Sequence, residues 1–268
     1  MITRVLITAK IYPTVSAKYE EPVCTAGFRE DGSWVRIYPI PLRKKTYEER
    51  YKKYDRIEMD LVKNERDFRP ESHRPVPGSK IKFIRHVDTS NNWEERKGIC
   101  LRKVYYNLRE LIAEAKNRKI CTSLATFKPA EILDFHARET KREWDMKKVA
   151  QIQAKRQQLK LFPDEEEDLE KEFQIVGKIP YKFTYCFKDN TGQQSDLMIE
   201  DWEVGQLFWN CLRRHEGDER KAIEDVRKKY FNDFAQTKDL YFFLGTTLQY
   251  HNVAPNPFIF YYCRSILP

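Results

Sequence analysis

Residues 22–40 read PVCTAGFREDGSWVRIYPI. Two apolar-rich runs, 22–28 and 33–40, flank Glu30-Asp31-Gly32. An Asp-Gly step between such runs is a strong short-range signal for a β-hairpin. The second run alternates, with Trp34, Arg36 and Tyr38 on one face and Val35 and Ile37 on the other, as a strand's period of two requires. Three further apolar segments read as strands: 2–10 (ITRVLITAK), 55–63 (DRIEMDLVK) and 80–87 (KIKFIRHV). The stretch 64–78 carries Pro70, Pro75 and Pro77 and reads as a loop, because proline cannot donate to a ladder. Five strands so close together predict a barrel or a strongly curved sheet.

Downstream the periodicity changes. Residues 103–118 read as a helix with Val104, Leu108, Leu111, Ile112 and Ala115 on one stripe. EILDF after Pro129 reads as a strand, and 141–160 as a long, polar helix. Asn190-Thr191-Gly192 predicts a second hairpin, between YKFTYCFKD and QQSDLMIED. Asp201 is placed to cap a helix over 202–214, and Asp218 one over 218–235. Two apolar strands, 239–246 and 257–264, close the chain.

The expected fold is therefore α+β. A β-rich, barrel-like N-terminal part precedes a C-terminal part made of a β-hairpin, two helices and two closing strands. The expected division is a basic domain over 1–140, a polar helix and acidic linker over 141–172, and an α+β region over 173–268 able to complete the N-terminal sheet.

A third of the residues are charged, but 16 Phe, 15 Tyr and 5 Trp supply enough apolar surface for a folded chain rather than a disordered one. No run of about 18 apolar residues is present, so no membrane partner is expected. The first residues lack the pattern of a signal peptide, which leads to a cytoplasmic expectation. The six cysteines are never closer than 21 residues apart and form no C-x-x-C pair. They read as reduced core thiols, and neither they nor the scattered histidines show metal-ligand spacing. No metal site or cofactor is expected.

Charge is unevenly spread. Residues 1–162 carry a net of +14, residues 163–172 (PDEEEDLEKE) a net of −6, and residues 173–268 a net of zero. A positive field on a folded domain attracts polyanions, and nucleic acid is the expected one, with DNA the first expectation. The candidate contacts are Trp34, Arg36 and Tyr38, the run Arg43-Lys44-Lys45, and the loop residues Arg69, His73 and Arg74. Aromatics alternating with arginine stack bases and hold phosphates. Each group has an equally ordinary structural reading, as a core face or as local ion pairs.

The sharpest local pattern is Gln158-Leu159-Lys160-Leu161-Phe162. It resembles the sliding-clamp-binding peptide of bacterial replication and repair proteins, roughly Q-L-S/D-L-F. The resemblance implies Gln158 as polar anchor, Leu159 as first apolar residue, and Leu161 with Phe162 as the terminal pair. Lys160 departs from the usual small or acidic residue. What the resemblance implies is a protein partner, the sliding clamp, and nothing about the fold.

Catalytic patterns are sparse: no P-loop, G-x-G-x-x-G or G-x-S-x-G occurs. Glu58, Asp60 and Lys63 on one strand offer a faint version of a Mg²⁺-dependent nuclease centre. The first expectation is a non-enzymatic nucleic-acid-binding accessory protein of bacterial DNA maintenance or of defence against foreign DNA. A metal-dependent nuclease and a protein-binding adaptor subunit are the alternatives.

Overall fold

The computed structural model describes residues 1–160 and 175–265. Its N-terminal part is a barrel built from β1 (Ile2–Lys10), β2 (Val23–Arg29), β3 (Trp34–Ile40), β4 (Asp55–Lys63) and β5 (Ser72–Pro75). Their order is β1-β2-β3-β5-β4, and β4 pairs back onto β1 to close the ring. β3 and β5 run parallel, and every other neighbouring pair is antiparallel. This is the Greek-key connectivity of an OB-fold. Alternate residues turn inward: Val5 and Ile7 from β1, Val35 and Ile37 from β3, Ile57 and Met59 from β4. The first hairpin and the alternation along β3 are as expected from sequence.

The fifth barrel strand is not the expected one. β5 lies inside the proline-containing stretch read as a loop. It is only four residues long with Pro75 at its end, where a missing N–H costs little. The 80–87 segment forms β6 (Lys82–His86), which pairs with β4 alone, outside the closed ring.

Gly27 lets β1 and β2 approach closely. A Cβ there would lie 2.1 Å from the Leu6 carbonyl oxygen and 2.9 Å from a Val5 methyl. Backbone cannot yield as a flexible side chain can. Gly27→Ala is therefore expected to destabilise the protein by about 1–3 kcal/mol, the usual cost of overpacking. Urea unfolding monitored by tryptophan fluorescence checks this, and an unchanged midpoint would refute it.

After α1 (Ser90–Cys100) a second sheet begins. It contains β7 (Val104–Tyr105), β8 (Leu124–Phe127), β9 (Glu131–Glu139), β10 (Tyr181–Lys188), β11 (Gln194–Ile199), β12 (Leu240–Thr246) and β13 (Phe258–Ser265). The order is β7-β8-β12-β13-β11-β10-β9. The helices α2 (Leu108–Lys116), α4 (Trp202–Arg214) and α5 (Glu219–Arg227) contribute to a core with Phe127, Phe183, Tyr185 and Phe242 of the sheet. α5 continues as a π-helical stretch, Lys228–Ala235. Asp201 caps α4 by accepting the Glu203 N–H, and Asp218 caps α5 through Lys221. The polar helix α3 spans Met146–Lys160. No described helix is long and apolar enough to cross a membrane.

Two expectations fail here. β8 and β9 belong to the second sheet, so the sheets divide between Cys100 and Val104 and not near residue 140. The C-terminal region thus completes its own sheet and not the N-terminal one. Val104 also lies in a strand and not on a helical stripe, since Asn107 caps α2 only at Leu108.

The two sheets dock tightly. The outer face of β1–β3, with Leu6, Ala26, Phe28 and Trp34, packs on Leu124 of β8 and Phe243 of β12. Tyr12 sits on α4 where Gly205 leaves room, and a Cβ there would come within 2.4 Å of its ring. The Tyr12 hydroxyl donates to the Gly177 carbonyl and accepts from Trp209 Nε1.

Candidate nucleic-acid interface

The expected basic–aromatic face of β3 is covered by protein. Trp34 stacks at 3.9 Å from Phe28 and meets Phe243 edge-on at 5.5 Å. Arg36 is 1% exposed and donates to the Ser123 carbonyl across the domain junction. Tyr38 lies edge-on to Tyr19, and burial pushes its phenol up to about 12. Of the alternation that resembles a base-stacking surface, Trp34 and Arg36 are covered by the second domain and Tyr38 meets Tyr19 of the first.

The basic run is neutralised locally. Arg43 pairs with Glu21, Lys44 with Glu20 and Lys45 with Glu49. Arg69 is buried against Asp67 and donates to the Thr246 carbonyl. Arg36 and Arg69 are therefore buried structural groups, and Arg43, Lys44 and Lys45 are ion-paired. The faint catalytic set is also engaged: Glu58 accepts from Arg4, and Asp60 holds the N-terminal ammonium. Lys63 points elsewhere and donates to the carbonyls of Arg69 and Pro70 at 2.6 and 2.7 Å. Among the described residues no three His, Cys, Asp or Glu side chains are grouped to hold a metal ion. Of the clamp-like peptide, Leu161 and Phe162 lie outside the described residues, and Gln158 and Leu159 fall in the last turn of α3.

Two other cations do meet, around a histidine. Arg29 ends β2, Lys63 ends β4, and His73 sits on β5 opposite Lys63. His73 Nδ1 lies 2.9 Å from the Glu71 carbonyl, to which only an N–H can bond. Its Nε2 lone pair therefore faces Arg29 Nη2 at 3.0 Å. Burial, reinforced by Arg29 and Lys63, holds His73 below its ordinary value against the pull of the Glu71 carbonyl. Burial likewise lowers Lys63. Among the described residues no carboxylate lies within ion-pair distance of Arg29, Lys63, Arg66 or Arg74. Nearby Asp67 is taken by Arg69, and Glu71 by the Ser123 N–H and hydroxyl at 3.1 and 2.8 Å. Those last bonds bring loop 116–123, with exposed Lys116, Arg118 and Lys119, against the β4–β5 loop. Of this group, Lys63, His73 and Arg74 were legible as candidates. Arg29 and Arg66 were not, since a lone arginine beside a turn carries no pattern.

The neighbouring Cys121–His251 pair is not an activated nucleophile. The thiol is 3.5 Å from His251 Nε2, but that nitrogen donates to the Ala115 carbonyl at 2.8 Å. It therefore carries a proton and cannot accept one from sulfur. Burial and Glu71 push the Cys121 thiol up. Cys24 and Cys121 are half-buried, and Cys100, Cys186 and Cys211 are buried free thiols.

Residues 106–263 match the family model described as domain of unknown function DUF8757, and residues 1–102 match that described as DUF8758. The first match spans more than half of the chain, which belongs to that family. The division between the two matches falls where the two sheets divide. No curated protein matches. Among solved structures, a murine DNA-binding protein bound to double-stranded DNA aligns with 75% of this chain and 74% of its own. The identity is 10% and the TM-score 0.28, a likeness too weak to carry an argument.

Proposed function

We propose that this member of the DUF8757 family binds the phosphate backbone of nucleic acid through the rim formed by Arg29, Lys63, Arg66 and Arg74, with His73 positioning Arg29. The observation that supports this most is that Arg29 and Lys63 meet around His73, with exposed Arg66 and Arg74 on the adjoining β4–β5 segment and, among the described residues, no carboxylate within ion-pair distance of these cations. Like charges gathered on a folded surface repel, and a phosphate diester relieves that repulsion through charge-assisted hydrogen bonds. OB-fold barrels commonly bind ligand on the strand β2–β3 face and the loops beside it. Here the face is occupied by β8 and β12, which turns attention to the β4–β5 loop and its cations.

Binding of this kind weakens with salt, because each neutralised phosphate releases counterions. Fluorescence anisotropy with short labelled oligonucleotides between about 50 and 200 mM salt tests it. The expected result is a linear fall of log K with log salt. A Lys63→Ala, Arg66→Ala, Arg74→Ala variant is expected to bind at least tenfold more weakly at the lower salt. Its slope should be shallower by about 0.7–0.9 for each phosphate that the variant no longer neutralises. Absence of binding at low salt, or a variant that binds like the parent, would overturn the reading.

A further inference from the structure

We propose that the ligand of this rim is single-stranded DNA, with one base stacked on Phe68; this rests on the phosphate-binding reading above. Phe68 is 52% exposed, yet it sits on a loop with little freedom. On one side of it, Asp67 accepts from the Arg69 side chain at 2.8 and 2.6 Å and from the Ser72 hydroxyl at 2.6 Å. On the other, Lys63 ties down the Arg69 and Pro70 carbonyls. One edge of the ring packs on His251, and about half of its surface stays in water on a pinned loop. That half gives a flat ligand a surface that is ordered before binding, which lowers the entropic cost of association.

Its surroundings select the ligand. Arg66 lies two residues away, and His251 meets the ring edge-on at 5.2 Å with 78° between planes. The loop that carries His251 also exposes Tyr250, at 52%, and Leu248. Ile120 is exposed beside Cys121, which contacts His251. Aromatic faces interleaved with cations are what single strands require. In a duplex the π-faces of the bases are already stacked on one another, so Phe68 would find nothing to cover. A thymine methyl adds apolar surface that uracil lacks, and exposed Ile120 and Leu248 on the adjoining segments offer it apolar contact, which favours dT over oligo-U.

Anisotropy with an oligo-dT, an oligo-U of the same length and a duplex of that length tests the proposal at matched salt. The expected order is dT tightest, with the duplex at least tenfold weaker and oligo-U weaker than dT. Phe68→Ala is expected to weaken dT binding about 5- to 150-fold, equivalent to about 1–3 kcal/mol per stacked base. Its salt slope should stay unchanged, because every cation remains. Phe68→Trp should keep the affinity and gain a tryptophan signal that is quenched by dT. Duplex or oligo-U binding as tight as dT overturns the proposal. So does Phe68→Ala binding dT like the parent with the salt dependence intact, an outcome that leaves phosphate binding standing. Loss of binding to all three ligands in the parent protein removes both.

Discussion

Replacing Lys53 by alanine is expected to cost about 3–5 kcal/mol of unfolding free energy at neutral pH. Lys53 precedes β4 of the barrel, and its ammonium meets the Asp201 carboxylate that caps α4 in the second domain. Their side chains are 3% and 0% exposed. Glu203 is 3.5 Å from the same ammonium, and the Tyr230 hydroxyl is 3.5 Å from Asp201. Lys10 lies close by, held down to about 8 by burial and by repulsion from Lys53. Removing Lys53 leaves a buried carboxylate without its cation, which costs far more than an exposed pair contributes.

The pH dependence follows from the direction of the Asp201 shift. Burial raises Asp201 to about 6, and Lys53 opposes the rise. An acid raised in the folded state adds stability below its unfolded value and loses it as pH rises through the folded value. Without Lys53 the rise is larger, so the deficit of Lys53→Ala should narrow as pH falls from the variant's raised value toward about 6 and level off below it. Urea unfolding by tryptophan fluorescence at neutral and acidic pH measures both effects. Lys53→Met combined with Asp201→Asn should recover most of the loss, because asparagine still caps the helix and the buried carboxylate goes with its cation. A loss below about 1 kcal/mol for Lys53→Ala would mean that the ion pair does not hold the two domains together.

Much of the fold was legible because neighbouring residues carried it. The Asp31-Gly32 turn, the alternation along β3, the Asn190-Thr191-Gly192 hairpin and the Asp201 cap all stand where local chemistry places them. What was missed depends on distant partners. β5 is a strand only because β3 and β4 accept it on either side. α1 begins with Asn91, Asn92 and Trp93 at positive φ, a turn that no apolar period announces. β9 reads as part of the N-terminal domain until its partner β10, about 40 residues later, is known, and β8 carries no strand signal of its own. The site suffered from the same limit. A strand face of Trp, Arg and Tyr looks alike in sequence whether a base or Phe243 will cover it. The charges on Arg43 and Lys44 look available until Glu21 and Glu20 fold back to meet them.

Asp67→Ala is expected to be about as costly as the removal of Lys53, and it should damage the candidate interface as well. Asp67 is 5% exposed and Arg69 6%. The Asp67 carboxylate accepts from the Arg69 backbone N–H, from Nε and Nη2 of its guanidinium, and from the Ser72 hydroxyl. Alanine would strip a buried guanidinium of the carboxylate that neutralises it, at a cost of about 3–5 kcal/mol. Burial pushes Asp67 up, but the bonds from Arg69 and Ser72 outweigh it and hold the carboxyl at about 2. A depressed acid contributes stability above its unfolded value, and that contribution is lost as pH falls through the folded one. The window therefore runs from about pH 4 to pH 2, and the contribution is about 2 kcal/mol. Asp67→Asn preserves the shape but cannot ionise. Its stability should run below that of the parent at neutral pH and converge on it through that window. Thermal unfolding of both proteins from pH 5 to pH 2 measures the difference, and parallel curves would show that Asp67 does not carry this charge-linked stability. Because Asp67 also fixes the position of Phe68, Asp67→Asn at neutral pH should weaken oligonucleotide binding without changing its salt slope. The unaltered cations of Lys63, Arg66 and Arg74 would still meet the phosphates, but the ring beside them would no longer be held in place.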